Sequence, residues 1–343
     1  MATIFKTLSS DDITSTRTLL HESVPVTGTI VSGSTYDENN IKNYSHGMFQ
    51  SVYDYPYLSS SANHIFDLTL GTSTIGVTAS IQPTKKDNIY NQMAQVLVGY
   101  DHTGSVHRFD EDGDILAGGN KLDNVFFMNF ARLLSKDEIK KGTFQLELGV
   151  TPAYSQNGAV FASRIQLTDA SGSDGYLVNS PVGEYGVLYA TQSAGANVLA
   201  ANQSYAVGLL FYQAGVAVVS SSVFNDAALG GILNNSHGHV LINGPTSTSE
   251  GISQGLTGSN IESLANNLRT RMYNLQFNNT VELNSSVYFC RVNHNEYNYS
   301  TNPTYLTGSK IRVKTQSSDL PVSYITTVGL YNDFNEPVIL KPG

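Results

Sequence analysis

Apolar residues in the first half of the chain recur at helical spacing. Ile89, Met93, Val96 and Leu97 share one face, with Asp87 placed to cap and Gly99 to stop, so a helix is predicted over Asp87–Val98. Phe126, Phe127, Phe130, Leu133 and Leu134 repeat the pattern and predict a second helix over Asn124–Leu134. Ser135 and Glu138 read as a Ser-x-x-Glu capping box opening a short helix, Lys136–Lys141, which Gly142 closes. A last helix is predicted over Asn260–Gln276, with Asn260 or Ser259 as its cap and Ile261, Leu264, Leu268, Met272 and Leu275 as its apolar face.

From Phe144 onward the spacing changes to alternation. Phe144, Leu146 and Leu148 alternate with Gln145 and Glu147, as in a half-buried strand. Further strands are predicted at Val160–Leu167, Tyr176–Asn179, Tyr185–Tyr189, Tyr205–Tyr212, Val216–Val223, Ser286–Val292, Lys310–Lys314 and Val322–Tyr331. A Gln213-Ala-Gly215 turn joins two of them. The expected fold is α+β, predominantly antiparallel β in the second half, with a few helices.

Residues 1–61 lack such periodicity and read as an extended N-terminal arm, with one loose strand near Val24–Val31. The body is then 62–343, with a possible division near 150. An arm of this kind orders on a partner surface. Its aromatic loop, Tyr53-Asp-Tyr55-Pro-Tyr57, is the expected interface anchor, because Tyr offers much contact area with few rotors to freeze.

Composition narrows the functional classes. Charged residues are 14% of the 343, against about 25% in ordinary soluble domains. Hydrophobic residues are 40%, enough for a core, so global disorder is excluded. The surface must be largely uncharged and polar, and 20 Tyr and 14 Phe against 0 Trp favour strands and interfaces. A net charge of −9 and a pI near 5.3 argue against a nucleic-acid footprint and against docking on an anionic membrane. The single cysteine, Cys290, permits neither an internal disulfide framework nor a cysteine metal cage, and its strand context predicts a buried thiol. The N-terminus lacks the pattern of a signal peptide. The longest apolar stretch, broken by Gly208, Gln213 and Gly215, is too short to span a bilayer.

Three motifs carry candidate chemistry. Gly251-Ile-Ser253-Gln-Gly255 satisfies Gly-x-Ser-x-Gly, but a nucleophile elbow needs a strand before and a helix after, and neither flank has that character. Asp110, Asp112 and Asp114 alternate as ligands of a hard cation such as Ca2+ would. An EF-hand fails, because Ile115 and Lys121 stand where its Gly and Glu belong, and the plainer reading is a turn in which Gly113 takes a positive φ. His237-Gly-His239 places two imidazoles on one side of an extended segment, with no third ligand nominated. Phosphate-binding loops are absent from the sequence. No catalytic residue and no organic cofactor is expected.

Two stretches carry a resemblance. One runs from Tyr90 to Lys141 and includes Asn91-Gln-Met-Ala-Gln-Val-Leu-Val-Gly-Tyr100, Arg108-Phe-Asp-Glu-Asp-Gly-Asp114 and Lys136-Asp-Glu-Ile-Lys-Lys-Gly142. The other is Ser323-Tyr-Ile-Thr-Thr-Val-Gly-Leu-Tyr-Asn-Asp333. Together they resemble structural proteins of tailed bacteriophages of the T4-like marine type. The resemblance implies a non-enzymatic virion protein of the tail or baseplate, made in the host cytoplasm and assembled with copies of itself and other virion proteins. Host glycan contact is compatible with it. A neck, capsid-surface or receptor-binding protein is the alternative, and a glycan-degrading tail enzyme is a third reading.

Overall fold

The computed structural model describes residues 7–25, 38–74, 79, 81–115, 118–134, 138–150, 161, 164–191, 206–225, 256, 258–291, 303–308, 310–311, 327–332, 334 and 336–342. The chain divides into two compact units, residues 18–283 and residues 1–17 with 284–343.

The strands in chain order begin with β1 (Ile13–Pro25), β2 (Ile41–Asn43), β3 (Gln50–Tyr53), β4 (His64–Thr72), β5 (Asn124–Asn129) and β6 (Glu138–Ile139). They continue with β7 (Gln145–Gly149), β8 (Arg164–Thr168), β9 (Leu177–Ser180), β10 (Gly183–Thr191), β11 (Ala206–Phe211), β12 (Val216–Ser220) and β13 (Met272–Tyr288). In the larger unit they form one sheet in the order β13-β7-β8-β10-β11-β12-β5-β4-β3-β2, antiparallel at each of these pairings. The fold is thus mostly antiparallel β with few helices. Among the described residues no helix is long and apolar enough to cross a membrane.

The central strands are apolar on both faces. Val125 and Phe127 of β5 join one apolar cluster with Leu209, Phe211, Val216 and Val218. Phe126 and Met128 join the other, with Leu210, Ala217 and Val219. The Phe130 ring lies 5.9 Å from Phe66, which is on β4, and 5.6 Å from Phe277, which is on β13. The sheet therefore curls, so that strands far apart in its order share one core.

Double burial explains the main correction to the sequence reading. Residues 124–129 are strand β5, and a turn follows at 131–133, where a helix over Asn124–Leu134 was expected. A strand covered on both faces needs apolar residues at consecutive positions, and such a run fits helical spacing equally well. Glu138–Ile139 is likewise a short strand, β6, paired with β13, and not part of a helix over Lys136–Lys141.

Helix α1 (Pro83–Leu97) covers the second cluster with Ile89, Tyr90, Ala94 and Leu97. It begins four residues before Asp87, with Pro83 at its first turn and Gln82 preceding it. Its end is as expected: Gly99, at φ 78°, donates its N–H to the Ala94 carbonyl. Helix α2 (Gly172–Gly175) is a single turn. Helix α3 (Ile261–Arg271) has the expected cap, Asn260, whose Oδ1 accepts from the Ser263 N–H at 2.7 Å. It stops at Arg271, and Met272 opens β13, so Met272 and Leu275 belong to a strand that packs on the same core.

Residues 41–43 and 50–53, expected within the arm, are the two strands β2 and β3 at one end of the sheet. The remaining expected strands of the larger unit fall at β7 to β12, with the 213–215 turn closed by Gly215 at φ 64°.

The smaller unit is a set of two-stranded ribbons. Its part of β1 (Ile13–Arg17) is tied to its part of β13 (from Asn284) by the Thr16 and Ser285 hydroxyls, 2.6 Å apart. Strands β14 (Leu306–Thr307) and β15 (Lys310–Ile311) make one hairpin, and β16 (Thr327–Tyr331) and β17 (Pro337–Pro342) another. Asn332 shapes the second turn: its Oδ1 accepts from the N–H groups of Phe334 and Glu336. No described side chain of this unit is buried.

Candidate functional site

The acidic turn lies between α1 and β5. Oxygens of Asp110, Asp112 and Asp114 come within 4.8 Å of one another. Gly113, at φ 82°, makes the turn as expected, and Asx-type bonds order it: the Asp114 N–H donates to Asp112 Oδ1 at 3.2 Å. The two outer aspartates differ from the inner one. Asp110 is fully buried, and its Oδ2 accepts from the Lys121 ammonium across a two-residue bridge of backbone. Calcium needs six to eight oxygens, and here the one buried carboxylate already has a cation of its own. Lys121, read from the sequence as the residue that breaks an EF-hand, thus places a positive charge at the buried carboxylate.

The three tyrosines of the expected anchor are only partly brought together. The Tyr53 and Tyr57 rings lie 6.3 Å apart, and Tyr53 meets the His64 ring edge-on at 5.3 Å. Tyr55 is 58% exposed and Leu58, on the same loop, is more exposed still.

Beside this loop is a constellation the sequence did not announce. Ser51 on β3 and Asp67 on β4 are directly paired across the sheet. The Ser51 hydroxyl donates to Asp67 Oδ1 at 2.5 Å, and His64 Nε2 lies 2.7 Å from the same oxygen. Burial would raise the Asp67 carboxyl, but the bonds from His64 and Ser51 outweigh it and hold it below its ordinary range. These are the residue types of a hydrolase triad in the wrong order. A serine nucleophile needs the imidazole within reach of its hydroxyl, and here the carboxylate stands between them. The arrangement fastens β3 to β4 and orients His64 against Tyr53. Only strand register, unreadable from spacing, creates it.

A second missed feature is an open cleft of about 540 Å3 in the larger unit. Tyr100 and His107 line it from the segment after α1, Asp114 and Ile115 from the acidic turn, and Val178 and Asn179 from β9.

Cys290 is exposed, not buried: it follows the end of β13 in the smaller unit, where no described side chain is buried. Ser253, His237 and His239 lie outside the described residues. No protein-family model, no curated protein and no solved structure matches this chain.

Proposed function

We propose that this chain is a non-enzymatic structural subunit of a tailed-phage virion, a component of the tail or baseplate that assembles with copies of itself and other virion proteins. The observation that carries the reading is the contrast between the two units. The larger has a doubly covered sheet. The smaller has strands but no buried side chain among its described residues, and it exposes Phe289 and Phe334.

Ordering each residue costs about 1–2 kcal/mol of backbone entropy, and an isolated two-stranded ribbon is marginal in water. Apolar area buried against a partner offsets that cost. Assembly interfaces are rich in aromatic residues and poor in charge, as this chain is. The stretch Ser323–Asp333, which resembles structural proteins of tailed phages, falls on this unit, where residues 327–331 form β16 and Asn332 shapes the turn that follows. A receptor-binding station in the particle is favoured by one observation, the open cleft beside Tyr100.

Reconstruction of intact particles by electron cryomicroscopy tests the proposal. Density for this chain at a symmetric tail or baseplate position, with residues 284–291 and 327–342 against neighbours, is expected. Absence of the chain from purified particles would refute it.

A further inference from the structure

We propose that the hairpin between β2 and β3, together with the start of α1, is a docking surface for an acidic protein segment that carries aromatic or aliphatic side chains among its carboxylates. The inference rests on the larger unit alone and stands apart from the assembly reading.

Residues 44–49 join β2 to β3 and gather three rings. The Tyr44 and His46 rings stack, 5.3 Å apart and 7° from parallel, and Phe49 meets them at 4.6 and 5.1 Å. His46 is exposed, Phe49 is 36% exposed, and Ile81, just before α1, is 42% exposed. Aromatic rings grouped on a surface in this way are the usual anchors of protein interfaces.

The turn is fixed before any partner arrives. Gly47, at φ 61°, donates its N–H to the Tyr44 carbonyl at 2.8 Å. The Met48 N–H donates to His46 Nδ1 at 3.0 Å, so the ring proton is on Nε2, which remains a donor. The Thr69 hydroxyl of β4 donates to the Met48 carbonyl at 2.5 Å, and the Tyr44 and Ser51 hydroxyls lie 3.2 Å apart. Pre-organisation of this kind reduces the entropy lost on binding a flexible segment.

Charge sets the class of partner. The Lys42 ammonium lies 5.0 Å from the centre of the Tyr44 ring, and Lys85 donates to the His46 carbonyl at 2.6 Å. Arg108, Lys121, Lys141, Arg164 and Arg291 each meet an Asp or Glu, whereas Lys42 and Lys85 have no carboxylate within ion-pair distance among the described residues. The start of α1 adds to them. A Cβ on Gly47 would stand 3.9 Å from Gln82 Nε2, so the helix begins beside the hairpin. Gln82 makes no cap there, and the first turn of α1 holds no acidic residue, so the positive end of a 15-residue helix is left uncompensated. In a chain of net charge −9, two unpaired lysines and a bare helix start beside exposed rings match a few carboxylates set among apolar side chains. A single-stranded nucleic acid fits less well, since it needs a basic groove that tracks many phosphates, and the net charge of the chain opposes a polyanion.

The test is fluorescence anisotropy of a labelled peptide of repeated Glu-Phe-Gly units, titrated with the full-length protein. Peptides of Gln-Phe-Gly and Glu-Ser-Gly, and an oligothymidylate, are run beside it. Wild type should bind the Glu-Phe-Gly peptide, less tightly as salt is raised, and each of the other two peptides roughly tenfold more weakly. Lys42→Gln combined with Lys85→Gln should weaken binding of the Glu-Phe-Gly peptide roughly tenfold and remove most of its salt dependence, with the melting temperature unchanged. Lys42→Arg combined with Lys85→Arg should bind as wild type does, which separates the charge from any structural role of the two side chains. No binding of the Glu-Phe-Gly peptide, equal binding of the Gln-Phe-Gly peptide, or full affinity in the double glutamine variant would overturn the proposal. Tighter binding of the oligothymidylate than of the peptide would overturn it also, since the surface would then serve a nucleic acid.

Discussion

The backbone N–H of Phe289 donates to the carbonyl of Asp12 at 2.8 Å, while the Phe289 side chain stays 51% exposed. The bond ties the residue just after β13 to the residue just before β1 and buries neither side chain in doing so. A hydrogen bond of this kind is worth about 0.5–1.5 kcal/mol net, too little to fix a ribbon alone. Its neighbours in the smaller unit follow the same rule, with Phe334 83% exposed.

Substituting Phe289→Ser and Phe334→Ser should therefore leave the isolated chain almost as stable as before, within roughly 0.5 kcal/mol, as for other surface changes. Incorporation into particles should fall sharply, because the aromatic area lost is area meant for a partner. Thermal melts and particle composition measured side by side decide this. A large drop in intrinsic stability would show that the two rings pack on their own chain.

The Lys86 ammonium is fully buried, and it donates to the carbonyls of Leu256, at 2.5 Å, and Ser259, at 2.7 Å. Burial lowers its pKa from 10.5 to about 8. Between those two values the unfolded chain holds a proton that the folded chain has released, so this group adds stability as pH rises from about 8 to 10.5. Comparison of wild type with Lys86→Met by chemical denaturation isolates the effect. The stability difference, wild type minus variant, should grow over that window by on the order of 3 kcal/mol. Buried Tyr90, Tyr185 and Tyr212, all pushed up by burial, act in both proteins and cancel. A difference that stays flat with pH would mean that the lysine is solvated.

Lys121→Met should cost about 3–5 kcal/mol, since it leaves the buried Asp110 carboxylate without its cation. In wild type, neither calcium nor chelator should shift the melting temperature, because the buried Asp110 carboxylate is already taken by Lys121. In Lys121→Met, added calcium should recover part of the loss, because an ion at the turn would replace the cation lost from Asp110. Calcium stabilisation of wild type by several degrees would show instead that the turn is a metal site.

Gly71 on β4 lets α1 pack against the sheet at close range: a Cβ there would lie 2.9 Å from the backbone of Tyr90. The obstacle is main chain and cannot swing aside, so Gly71→Ala should destabilise by about 1–3 kcal/mol. An unchanged denaturation midpoint would place α1 elsewhere.

Chemistry local to a few residues was legible in the sequence. Asn260 caps α3, Gly99 ends α1, and Gly113 and Gly215 take their turns, because each depends on backbone geometry within about four residues. The run Val125-Phe-Phe-Met128 was misread, because burial on both faces erases the alternation that identifies a strand. Met272 and Leu275 extended the helical spacing of Ile261, Leu264 and Leu268 by coincidence, the chain passing from α3 to β13 with both elements facing one core. Among candidate sites, the carboxylates of Asp110, Asp112 and Asp114 were visible because they alternate within five residues of sequence. The bonds of Ser51 and His64 to Asp67, and the cleft of Tyr100 with Val178, were not, since both depend on strand pairing and on loops brought together from distant positions.

Hydrogen exchange tests the central claim most directly. It is measured on residues 284–291 and 327–342, first in dilute isolated chain and then in assembled particles. A unit completed by its partners should exchange within seconds to minutes when alone and become protected by several orders of magnitude on assembly, while β5, β11 and β12 remain protected in both states. Strong protection of 284–291 and 327–342 in the dilute monomer would contradict the account, because the smaller unit would then hold itself together without a partner.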